Sequence, residues 1–222
     1  MQGVQVGPTV GGWGILGGTF DPVHYAHLAI AEQTREALGL AGVLFVPASI
    51  PPHKPDRVVT PAEDRVAMVA LAIADNPAFR LSRVEVDRSG ASFSVDTLEQ
   101  LLADPPEPWR PAPGFLFILS AEAVLELPTW HEPDRLLELC RLAVVPRRGY
   151  PRLDRGWVGR EFPGREDRFV FLDGPDLGHS ASDIRARVAA GSSIRYLVPP
   201  AVEAYIRAHA LYQPDTGRIS RP

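Results

Sequence analysis

The sequence has one cysteine, one lysine and no apolar run of membrane-spanning length, and each shortage excludes something. A lone Cys140 can neither close an internal disulfide nor supply a cysteine cluster for zinc; within RLLELCRLAVV it reads as a small buried hydrophobe. A bilayer crossing takes about 18 or more successive apolar residues, which the chain nowhere offers. The opening stretch MQGVQVGPTVGG lacks the basic start and apolar centre of a secretory leader, so the expected location is the cytoplasm. A net charge of −4 gives no footprint for nucleic acid, and neither nucleic acid nor membrane is expected as a partner.

What is present is an ordinary globular composition, 45% hydrophobic and 23% charged over 222 residues, enough for one α/β domain with a real core. The 19 glycines and 23 prolines signal many turns and stiff loops. Of 23 basic residues, 22 are arginine, and the single exception is Lys54.

Apolar patterning predicts strands at 13–16 with its flanks, 43–47, 79–87, 115–119, 142–146 and 169–173. Helical spacing falls between them. It runs from Tyr25 to Leu38 and from a Thr60–Glu63 capping box to about Ala74. It recurs from about Val95 to Leu102, around AEAVLEL and DRLLELC, after a Ser182 cap, and over 199–211. Residues 147–167 read as a long polar surface loop. The expected fold is therefore α/β, a doubly wound, mostly parallel, Rossmann-like sheet with a short C-terminal helical element. The domain is expected over 12–212, its helical end at about 180–212, between a flexible extension at 1–11 and a disordered tail at 213–222.

Ligands of such sheets bind beyond the carboxyl ends of the strands, which selects four segments. The first is GGTFDPVHYAH, where Gly17 and Gly18 allow close backbone approach and His24 and His27 share one face of a helix start. It reads as a phosphate cradle or as a turn followed by half-buried histidines; His24, His27 and Asp21 are also a conceivable but incomplete metal set. The second is PPHK, whose Lys54 is either a phosphate contact or a solvated base. The third is HSASDIR, where Ser180, Ser182 and Arg185 converge at a helix start, as a phosphate site or an ordinary cap. The fourth is PTWHE, where Trp130 is a stacking face or a core plug.

Taken together, GGTFDPVHYAHL, VPASIPPHKP, VEVDRSGASFSVDTL, PTWHE, VVPRRGYP, HSASDIR and LVPPAVEAYIRAHALY resemble the nucleotidyltransferases with a (T/H)xGH signature, within them the bacterial nicotinate-nucleotide adenylyltransferases. The likeness covers most of residues 13–212 in family order. It implies adenylyl transfer from ATP to nicotinate mononucleotide, giving the dinucleotide and pyrophosphate with Mg²⁺ assisting. Nicotinamide mononucleotide is the rival acceptor, and a homo-oligomer stays open. By the same resemblance Gly17, Gly18, Thr19 and Phe20 line the nucleotide crevice. His24, His27, Lys54, Ser180, Ser182 and Arg185 hold ATP phosphates, with His24, His27 and Arg185 catalytic. Ser94, Thr97 and Trp130 receive the nicotinate mononucleotide ring and Arg147 its phosphate, and no residue is assigned as a metal ligand.

Three positions depart from the family pattern: Ala26 stands for the signature glycine, Ser120-Ala121-Glu122 for Gly-x-Asp, and Phe93 for a tyrosine. These changes also admit a noncatalytic nucleotide-binding module. A metal phosphohydrolase using His24, His27 and His53 would leave the serine and arginine motif without a use.

Overall fold

Alternating strand and helix patterns close into one sheet, which a computed structural model describes for residues 12–49, 59–105, 114–174, 178 and 180–214. Its strands are β1 (Trp13–Gly18), β2 (Gly42–Pro47), β3 (Phe79–Leu81), β4 (Phe115–Ser120), β5 (Arg141–Val145) and β6 (Phe169–Phe171). They lie in the order β3-β2-β1-β4-β5-β6, every neighbouring pair parallel. The helices are α1 (Tyr25–Leu38), α2 (Ala62–Ile73), α3 (Ser94–Ala103), α4 (Ala121–Glu126), α5 (Pro133–Leu139), α6 (Arg155–Glu161), α7 (Ala181–Ala189) and α8 (Pro200–Ala208). The strand order reverses between β1 and β4, and at such a switch point a crevice opens outside the carboxyl ends of the strands.

Both faces of the sheet are covered, which is why its strands read as continuous apolar runs. Side chains alternate between them: Leu16, Val43, Phe45 and Ile118 join Met68, Val69 and Val202 of α2 and α8 on one face. Ile15, Leu44, Phe117 and Leu142 join Leu98, Leu136 and Val158 of α3, α5 and α6 on the other. Gly42 lets β2 pass Trp13, since a Cβ there would lie 2.3 Å from the indole and 2.4 Å from the Ala78 carbonyl.

Four local expectations are corrected. β3 stops at Leu81 instead of running to 87, because after the Ser82 N–H reaches the Phe45 carbonyl (2.9 Å) the chain turns, Asp87 N–H bonding back to Arg83. The Thr60–Glu63 capping box does not form. Pro61 is the N-cap residue, Arg65 takes the Thr60 carbonyl (2.8 Å), and Glu63 pairs with Arg83 instead (2.8 Å). The stretch 147–167 is not all loop: Asp154 accepts from Trp157 N–H (2.9 Å) and caps α6, which buries Val158. Ser180, not Ser182, caps α7, accepting from Asp183 N–H at 3.1 Å.

Candidate active site

A cavity of about 410 Å³ lies at the carboxyl ends of β1 and β4. Gly17, Gly18 and Thr19 line it from the loop after β1, and Ser94, Trp130 and His131 from the start of α3 and the turn before α5. Thus four of the expected binding positions and Trp130 share one space, although they come from three separate stretches of chain. Phe20 contributes differently: it holds a left-handed backbone (φ 50°) and turns its ring into the core, against Phe45 and edge-on to His27.

His24 and His27 stand at the start of α1, outside the lining of that cavity, with rings stacked at 3.8 Å. The first turn of α1 holds no acid, so its dipole keeps a pull on an anion, although the Tyr25 N–H is taken by the Leu197 carbonyl (3.1 Å) and the His27 N–H by the His24 carbonyl (3.0 Å). The main-chain N–H of His24 donates to His27 Nδ1 at 3.2 Å. An accepting Nδ1 leaves the His27 proton on Nε2. Burial, then the neighbouring His24 and Arg147, hold the His27 imidazole well below the ordinary histidine range. His27 is therefore a neutral donor near pH 7.

Arg185 reaches the same loop. Its guanidinium donates to the main-chain carbonyl of Asp21 and to Ser182 Oγ (2.9 Å), and it lies 3.9 Å from the Asp21 carboxylate. Ser180 is engaged twice with Asp183, as cap and as donor to its carboxylate (2.7 Å). Arg147 sits 3.4 Å from Glu122, which also accepts the Tyr150 hydroxyl at 2.8 Å. The structure thereby brings α7 and the β5 exit to the first loop. Lys54 lies outside the described residues, as do His53 and His179.

Thr97 does not reach the cavity. It is fully buried, its hydroxyl 2.8 Å from Glu85 and 3.1 Å from the Phe93 carbonyl. Three carboxyls line the cavity, Glu85, Glu122 and Glu126, and sequence reading placed the first of them in a strand. Burial pushes the Glu85 carboxyl up, against hydrogen bonds from Thr97 and Ser92 that pull it down. Of the departures, Ala26 is buried within α1 and Ser120 caps α4 by accepting from Ala123 N–H (3.3 Å). Phe93 lies against the ring of His131, centroids 4.4 Å apart.

Two further residues went unsignalled. Tyr212, just beyond α8, donates its hydroxyl to the Asp21 carboxylate at 2.7 Å, which makes Asp21 a structural hub. Arg65 is 1% exposed and donates to four main-chain carbonyls, those of Thr60 (2.8 Å), Thr19 (2.8 Å), Ala48 (2.6 Å) and Ser49 (3.1 Å). The available clue was its place on the apolar stripe of α2, at i relative to Met68, Val69 and Ala72.

Residues 15–187 match the cytidylyltransferase-like family. A protein of Roseiflexus sp. (strain RS-1), named "Probable nicotinate-nucleotide adenylyltransferase", is 47% identical over 200 residues, covering 90% of this chain and 97% of that protein. A relative of the same name from Thermomicrobium roseum is 43% identical, covering 90% and 91%. Among solved structures, Plasmodium falciparum nicotinic acid mononucleotide adenylyltransferase complexed with NaAD superposes with a TM-score of 0.72 at 20% identity, covering 90% of this chain and 97% of that one. The chain belongs to the cytidylyltransferase-like family and, within it, to the nicotinate-nucleotide adenylyltransferases.

Proposed function

We propose that this protein transfers the adenylyl group of ATP to nicotinate mononucleotide, with residues 12–212 acting as one nucleotidyltransferase domain in the cytoplasm. The observation that carries the reading is the cavity at the β1/β4 switch point, walled by the Gly17–Thr19 backbone on one side and Trp130 with Ser94 on the other. A phosphate of the acceptor attacks the α-phosphorus of ATP; a P–O bond forms there as the bond to the pyrophosphate oxygen breaks.

The nucleophile needs no general base, since a phosphate monoester has a second pKa of about 6 and is mostly dianionic at pH 7. The protein's contribution is alignment and charge stabilisation. Neutral His27 offers Nε2–H, His24 and the α1 N-terminus face the same anion, and Arg185 brings a fixed positive charge. Ser180, Ser182 and Lys54 complete the ATP contacts. Arg147 takes the acceptor phosphate, and Thr97 supports the ring pocket by holding Glu85. Mg²⁺ bound with ATP would offset the negative charge of its phosphates.

One observation favours nicotinamide mononucleotide as a second acceptor: the described lining includes Glu85, Glu122 and Glu126 and neither lysine nor arginine, which suits an uncharged amide. The deciding assay offers ATP and Mg²⁺ with nicotinate mononucleotide, nicotinamide mononucleotide and pantetheine phosphate, and follows pyrophosphate. Release is expected with nicotinate mononucleotide foremost. Absence of release with every acceptor sinks the proposal, and tight ATP binding without product would make the protein a nucleotide-binding module.

A further inference from the structure

Arg65 presents a physical problem that the adenylyl-transfer chemistry does not touch. Enclosing a guanidinium is expensive, and an apolar side chain on the buried stripe of α2 would pack as well. Its hydrogen bonds go to main-chain oxygens and to no carboxylate among the described residues. Those oxygens lie on the segments that leave β1 and β2 and on the one that enters α2. Thr19 and Ala48 are themselves part of the cavity wall, on the side formed by the first loop. Ser49 and Thr60 flank the chain between β2 and α2, so one side chain fixes both ends of that stretch.

We infer that Arg65 is a positioning residue for the nucleotide: its fork sets the separation of the β1 and β2 loops and so the width of the cavity wall that faces ATP. The planar guanidinium suits this because its donors point in several fixed directions and satisfy four oxygens at once. An ammonium is a point charge with three donors and cannot span the same set. The inference rests on the adenylyl-transfer reading and deepens it, adding a residue that touches no substrate.

Arg65→Lys and Arg65→Gln, each in the full chain, separate placement from folding. Melting temperature, kcat and KM for each substrate are read together, with amide hydrogen exchange at residues 17–20 and 48–49. The expected result is a cooperative melt for Arg65→Lys, at least a tenfold fall in kcat/KM for ATP, an acceptor KM within twofold of the parent, and faster exchange in both loops. Arg65→Gln should lose more activity, so that the lysine variant is a partial rescue. Parental kcat/KM for ATP in a variant that merely melts lower would overturn the inference, as would failure of both variants to melt cooperatively, which would make the guanidinium a condition of folding only. A parent protein that releases no pyrophosphate with any acceptor is a different result, and it counts against adenylyl transfer itself.

Discussion

The two sides of the cavity are held in opposite ways. On the β1 side a permanently charged guanidinium, Arg65, is satisfied by main-chain carbonyls, and a neutral imidazole, His27, stands at the start of the helix that follows. Elsewhere in the lining the Glu85 carboxyl is satisfied by the hydroxyl of Thr97, and the rings of Phe93, Trp130 and His131 stand with Ser94 and the carboxylates of Glu122 and Glu126. The carbonyl partners of Arg65 cannot be changed by mutation, whereas the hydroxyl partner of Glu85 can, so the partners on the first side are constant and those on the second adjustable. An adenylyltransferase needs the same ATP contacts whatever it adenylates; acceptor choice has to be written on the other wall.

The largest effect that sharpens this contrast is expected from His24→Ala. Removing a donor that meets developing charge costs on the order of 10²–10³ in turnover. The melting temperature should barely move; an equal loss of folding would make His24 part of the core. Next comes Trp130→Ala, expected to raise the acceptor KM about tenfold through the loss of a stacking face, with ATP KM unchanged. A rise in ATP KM instead would break the assignment of the two walls.

The pH dependences differ in sign. His27 binds its proton less readily folded than unfolded, so its contribution to stability is full above pH about 6.5 and falls as pH drops below that, where the unfolded chain protonates first. Protonation of Nδ1 also breaks the bond from His24 N–H, so turnover should lose an acid limb centred well under the ordinary histidine value. Glu85 behaves oppositely: its raised folded value makes stability decline as pH rises from the ordinary carboxylate range through that value. Glu85→Gln should flatten this slope in chemical denaturation run across pH. The smallest effect is expected from Thr97→Val, about 1–3 kcal/mol of stability for the lost bonds to Glu85 and from Arg88, with kcat intact.

Much of the architecture was legible because the buried strands are apolar on both faces; FLFIL and LAVVP announce themselves. VEVD misled because its alternation looks like a strand, while the Arg83 pairs with Glu63 and Asp87 hold that stretch in a turn. RGWVGRE hid a helix behind two glycines, its cap being Asp154 and its anchor Val158. The glycine loop, His24, His27, Trp130 and Arg185 could be singled out from short contiguous motifs, whereas Ser94 comes only with the family resemblance; of these the glycine loop, Ser94 and Trp130 share the cavity. Tyr212 could not, since nothing local joins it to an aspartate 191 positions earlier.

That long-range bond between Tyr212 and Asp21 sets a schedule for biosynthesis. Asp21 leaves the ribosome early, and the hydroxyl that engages it follows 191 residues later, which at about 5–20 residues per second is a delay of roughly 10–40 s. Throughout that interval the first loop exists without its last tether, and α7, which delivers Arg185, is absent for most of it. A nascent chain therefore carries a first loop whose contacts from Arg185 and Tyr212 are completed only with α7 and with the turn that follows α8.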